Sequence, residues 1–98
     1  MVRHVALFRW SPEATPEAIA LVTERLLGLK DRIPELRRIA PGPDIGGAPG
    51  HWDYAVVADF DDLAGYQVYA AHPDHLAVVN ESIVPIRADR AVLQYEAG

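Results

Sequence analysis

Two segments of the chain read as β-strands that are apolar on both faces. Val2 to Trp10 places Val2, His4, Ala6, Phe8 and Trp10 on one side and Arg3, Val5, Leu7 and Arg9 on the other. Trp52 to Phe60 sets Trp52, Tyr54, Val56, Ala58 and Phe60 against Asp53, Ala55, Val57 and Asp59. A strand with one wet face alternates apolar with polar residues, whereas the centres of these two are apolar whichever way they are turned. Any sheet they build needs cover on both sides. The chain has 98 residues, read as one domain spanning residues 1–98. A body of that size buries only about 60–65% of its unfolded surface, so it has little material for two covering layers.

The remaining elements are set by caps and apolar spacing. Thr15, Pro16 and Glu17 predict a helix start, because Thr caps, Pro suits the first helical position and Glu favours the positive end of the dipole. Ile19, Val22, Leu26, Leu29 and Ile33 form one stripe, and Pro34 predicts an end near Ile33. Leu36 to Ala40 is read as a short strand, and Pro41 to Gly50, with three Pro and four Gly, as a loop. Asp61 or Asp62 is placed at the cap of a second helix running to about Ala71, with Leu63, Tyr66 and Ala70 inward. His72 and Pro73 open a third helix with a stripe of Leu76, Val79 and Ile83, and Pro85 predicts its end. Ala91 to Glu96 closes the chain as a strand, with Ala91, Leu93 and Tyr95 on one face.

The order strand, helix, strand, strand, helix pair, strand predicts an α+β, ferredoxin-like βαββαβ fold with a four-stranded antiparallel sheet and its helices on one face. The uncovered face is apolar at its centre, and its cheapest cover is the same face of a second copy. The expectation is a homodimer built sheet against sheet.

Composition narrows the function. Fourteen acidic and nine basic residues give a net charge of −5, the wrong sign for nucleic acid or an anionic membrane. No apolar run approaches the roughly 20 residues that span a bilayer, and Arg9 interrupts the only N-terminal candidate for a signal segment. With no cysteine there is no disulfide, thiolate nucleophile or zinc–cysteine site. The expected location is the cytoplasm. Asp44-Ile45-Gly46-Gly47-Ala48-Pro49-Gly50 lacks the Gly-Lys-Ser/Thr ending of a phosphate loop, and no cofactor is expected. Asp59, Asp61 and Asp62 are read as a capping cluster, and Arg37 and Arg38 as solvated.

The chemistry-bearing residues left are histidine and tyrosine. His75 lies about three positions into the third helix, where the positive end of the dipole favours neutral imidazole, the form a general base needs, while Asp74 beside it pulls the other way. Tyr69 ends the preceding helix and meets His75 only if the chain folds back at Pro73. Together a hydroxyl that polarises a carbonyl and an imidazole that takes an α-proton make an enolisation pair. The plainer alternative is a capping His72, a hydrogen-bonded His75 and a core Tyr69 with its hydroxyl satisfied. His4, mid-strand among apolar residues, needs a partner and joins the other two only if it faces the helices. A metal held by His72, His75, His4 and Asp74 is disfavoured because His72 precedes the proline that opens the helix. No metal is expected.

Several blocks resemble the stress-responsive A/B barrel (Dabb) family of dimeric α+β barrels. They are His4-Val5-Ala6-Leu7-Phe8-Arg9, Ile33-Pro34-Glu35-Leu36, Tyr54-Ala55-Val56-Val57-Ala58-Asp59-Phe60, Tyr69-Ala70-Ala71-His72-Pro73-Asp74-His75, Pro85-Ile86 and Val92-Leu93-Gln94-Tyr95-Glu96. They cover nearly the whole chain in order. The resemblance implies a dimer with a pocket between sheet and helices in each subunit. The family includes a plant polyketide cyclase that closes an aromatic ring without a cofactor, using a Tyr and a His. Its Tyr matches Tyr69, its His matches His75 and its strand histidine matches His4. The resemblance therefore implies a cofactor-independent, cyclase-like activity on an apolar or aromatic carbonyl compound. The alternatives are a non-catalytic stress-associated dimer that binds hydrophobic ligands and, on fold analogy alone, a cofactor-free monooxygenase.

Overall fold

The computed structural model describes residues 1–98. Strand β1 (Val2–Trp10) leads through a turn to helix α1 (Pro16–Gly28), which tightens into a 3-10 turn over Leu29–Asp31. Strands β2 (Arg38–Pro43) and β3 (Tyr54–Phe60) come after it. Helices α2 (Leu63–Ala71) and α3 (Pro73–Val78) are next, the latter running on through a π turn (Val79–Ile83) and a 3-10 turn (Val84–Ile86) into β4 (Arg87–Glu96). The sheet order is β2-β3-β1-β4 with every neighbouring pair antiparallel, the ferredoxin-like arrangement. No helix is long and apolar enough to cross a membrane.

Register separates the two faces. Ala6 stands opposite Val56 and Val92, and Phe8 opposite Tyr54 and Arg90, so these residues share a face. That face meets the helices. Ala6, Phe8, Tyr54, Val56, Ala58 and Phe60 are buried there with Val22, Leu26 and Leu29 of the first helical segment and Tyr69 of α2. The Tyr54 hydroxyl is 2.6 Å from Thr23 Oγ1, which satisfies its polar end inside the core. On the opposite face, Val5 stands between Val57 and Leu93, and Leu7 between Ala55 and Ala91. Leu93 is 60% and Tyr95 46% exposed. No helix covers this second face.

Several local expectations change. The α-helical part of α1 ends at Gly28 rather than near Ile33, because the chain tightens: the Arg32 and Ile33 amides both donate to the Leu29 carbonyl. Strand β2 runs on to Pro43, so Pro41 to Pro43 belong to the sheet and not to the loop. Proline is tolerated there because β2 is an edge strand with no partner beyond it. Tyr66 and Ala70 of α2 are half-buried and turned inward as expected, but the buried residues of the helix are Gly65 and Tyr69, and Leu63 is 50% exposed. The α-helical part of α3 ends at Val78, before Pro85, which sits in the final 3-10 turn, and β4 starts at Arg87 rather than Ala91. Of the three aspartates, only Asp62 caps α2, accepting from the Gly65 amide at 2.8 Å. Asp59 is buried and forked by Arg3 at 2.7 and 3.0 Å on the open face, and Asp61 pairs with Arg37 at 2.8 Å. The Arg3 guanidinium holds the Asp59 carboxyl below its ordinary range.

Candidate functional site

The turn between α2 and α3 brings Tyr69 and His75 together. His72 closes one helix and opens the next: its amide donates to the Tyr69 carbonyl at 3.1 Å, and its Nδ1 accepts from the Asp74 amide at 3.0 Å. Pro73 occupies the first position of α3 with its fixed φ. The reversal packs the His75 ring against the Tyr69 ring at a tilt of 35°, with centroids 4.1 Å apart. His72 is thus spent as a cap and does not project beside His75. No group of three metal-ligating side chains is present.

His75 Nδ1 lies 3.3 Å from the Ala70 carbonyl oxygen. A carbonyl only accepts, so Nδ1 carries the proton and Nε2 keeps its lone pair when the ring is neutral. Burial pushes the His75 pKa down, and the nearby His4 and His72 push the same way. Tyr69 is 4% exposed and its hydroxyl makes no hydrogen bond within the chain. Burial raises its pKa, so the phenol stays a proton donor at neutral pH.

His4 faces the helices and not the open side of the sheet. Its ring lies 4.8 Å from that of Tyr66, and its Nδ1 is 2.9 Å from Gln94 Oε1 on the adjoining strand β4. Burial lowers its pKa as well. His4, Tyr69 and His75 line one cavity of about 330 Å³, with Phe8, Val56 and Ile83 among its apolar walls. That volume falls within the range of small-ligand pockets, roughly 300–1,000 Å³. A second cavity of about 350 Å³ lies between α1 and α3, but its charges are already matched, Arg32 with Asp74 at 3.7 Å and Arg25 with Glu81 at 3.2 Å.

Sequence reasoning missed Tyr66, Gln94, Arg87 and Arg90 at this cavity. Gln94 was within reach: with Ala91, Leu93 and Tyr95 on one face, Val92 and Gln94 must share the other with His4. The arginines lay before the expected start of the last strand.

The cavity lining is mostly apolar, with His4, Tyr69, His75, Arg87 and Arg90 among the polar groups at it.

Comparison with known proteins agrees with this architecture. A dimeric ferredoxin-like protein of unknown function from Thermobifida fusca is 44% identical, with a TM-score of 0.89 over 98% of this chain and 90% of that one. A hydroxynitrile lyase from Passiflora edulis is 21% identical, with a TM-score of 0.84 over 96% and 90%. An antibiotic biosynthesis monooxygenase is likewise 21% identical, at 0.74 over 100% and 99%. The last two likenesses concern the fold. No curated protein matches. The family model for the stress responsive A/B barrel domain matches residues 2–97, and the chain belongs to that family.

Proposed function

We propose that the protein is a homodimer, joined through the open sheet faces, whose cavity binds an apolar or aromatic carbonyl compound and catalyses its enolisation without a cofactor, as a polyketide cyclase-like enzyme does. The observation that carries the reading is the Tyr69–His75 pair: a phenol with no partner in the chain, packed against an imidazole whose Nδ1 is tied to Ala70. In this scheme the Tyr69 hydroxyl donates to the substrate carbonyl oxygen while His75 Nε2 takes a proton from the adjacent carbon. The enolate then attacks a second carbonyl, in a longer substrate, or is reprotonated by the imidazolium. His4, fixed by Gln94, is a positioning residue at the cavity wall. The dimer is supported by the exposed Leu93 and Tyr95 on an uncovered face and by the dimeric Thermobifida fusca relative.

The test is deuterium uptake at the α-carbon of an aryl methyl ketone in D₂O, followed by proton NMR. The wild type is expected to exceed the buffer rate, and Tyr69→Phe to lose about a hundredfold to a thousandfold, the range for a single oxyanion donor. Binding of the ketone without any exchange favours the non-catalytic ligand carrier instead.

A further inference from the structure

The arginines of the chain divide unevenly. Arg3 and Arg38 pair with Asp59, Arg25 with Glu81, Arg32 with Asp74 and Arg37 with Asp61. Arg9 lies over the Trp52 ring at 4.2 Å and donates to the His51 carbonyl at 3.1 Å. Only Arg87 and Arg90 have no acidic, aromatic or carbonyl partner for their guanidinium groups. Both line the cavity that holds His4, Tyr69 and His75. Register explains why: Arg90 stands opposite Phe8 and Arg87 opposite Trp10, so both lie on the helix-facing side of β4. The one acid between them, Asp89, stands opposite Arg9 on the other face, and its carboxylate accepts from the Arg90 backbone amide.

Two neighbouring guanidinium groups repel each other. Arg87 is moreover half-buried, and burial and Arg90 both push its pKa down. In a chain of net charge −5, carboxylates are plentiful, yet none pairs with either guanidinium. An unmatched positive pair at the edge of an apolar cavity is a recognition feature for an anion, and the planar Arg fork fits a carboxylate with two parallel hydrogen bonds.

We propose that the cavity selects a ligand carrying a carboxylate on an apolar, ring-sized body, with Arg90 and Arg87 as the residues that bind the carboxylate. This rests on the cavity being the ligand site, and it adds the substrate class to that reading. The apolar body occupies the space between sheet and helices beside Tyr69 and His75, and the carboxylate lies at the β4 side. The anion also offsets the mutual repulsion of the two guanidinium groups, so binding it relieves a cost present in the empty protein.

The test compares 4-propylbenzoate with its uncharged counterpart 4-propylbenzamide by calorimetry at pH 7.5. The wild type is expected to bind the acid at least tenfold more tightly than the amide. Arg90→Gln and Arg87→Gln are each expected to remove about fivefold to tenfold of the acid affinity and leave amide affinity unchanged, which also shows that both variants are folded. Equal binding of acid and amide, or acid affinity insensitive to both substitutions, overturns the carboxylate assignment while leaving the cavity a ligand site. If neither compound binds, the cavity is not a ligand site and both readings fall.

Discussion

Replacing Leu93 with aspartate is expected to convert the dimer to a monomer at micromolar concentration, in sedimentation or light scattering. Leu93 stands on the uncovered face opposite Val5 and is 60% exposed in the single chain, so the fold of one protomer loses little by the change. In an interface related by a two-fold axis each substitution counts twice. Each aspartate removes an apolar contact and brings a charge that resists desolvation. A cost of about 2 kcal/mol per site gives about 4 kcal/mol per dimer, roughly a thousandfold in the dissociation constant. A Leu93→Asp protein that remains dimeric with unchanged affinity places the interface elsewhere.

Under the proposed enolisation, the largest catalytic effect is expected at His75. Removing a positioned general base costs roughly a hundredfold to ten-thousandfold, and His75→Ala is expected to lower the α-carbon exchange rate by that amount. The direction of the pKa shift sets the pH dependence. Ordinary histidine titrates near pH 6.5, and burial moves His75 below that value. The imidazole is then neutral, and active, at and somewhat below pH 6.5, and the rate falls only as pH drops through the lowered value. An acid limb centred above 6.5 contradicts the burial account. Stability moves in the same direction. Below about pH 6.5 the unfolded chain takes up protons that folded His75 and His4 do not, so stability declines with falling pH until the folded rings are protonated too.

Much of the architecture was legible because its signals are local. The Thr15-Pro16-Glu17 start, the Asp62 cap and the His72-Pro73 junction depend on short-range hydrogen bonds and a fixed φ, which the residue types announce. The doubly apolar strands were legible because side chains alternate with period two whatever the tertiary context. Three things were not. That Pro41 to Pro43 join the sheet depends on β2 being an edge, a property of strand order rather than of the segment. That Gly65 rather than Leu63 packs inward on α2 depends on how closely Gly65 approaches Phe60 and Glu35, where a Cβ would sit 3.6 Å from each. The two arginines at the cavity became visible only when the π and 3-10 turns after α3 delivered the chain into β4 four residues earlier than expected. The meeting of His4, Tyr69 and His75 lay in between: each residue stood out alone, and the β1–β4 register and the His72 turn supply their convergence.

The most direct test is nitrogen-15 NMR of the His75 imidazole at pH 7, with and without a saturating aryl methyl ketone. The account predicts a neutral ring with its proton on Nδ1, held by the Ala70 carbonyl, and an Nε2 resonance that moves when the ketone binds. A protonated ring at pH 7, a proton on Nε2, or an Nε2 resonance indifferent to bound ketone would contradict it.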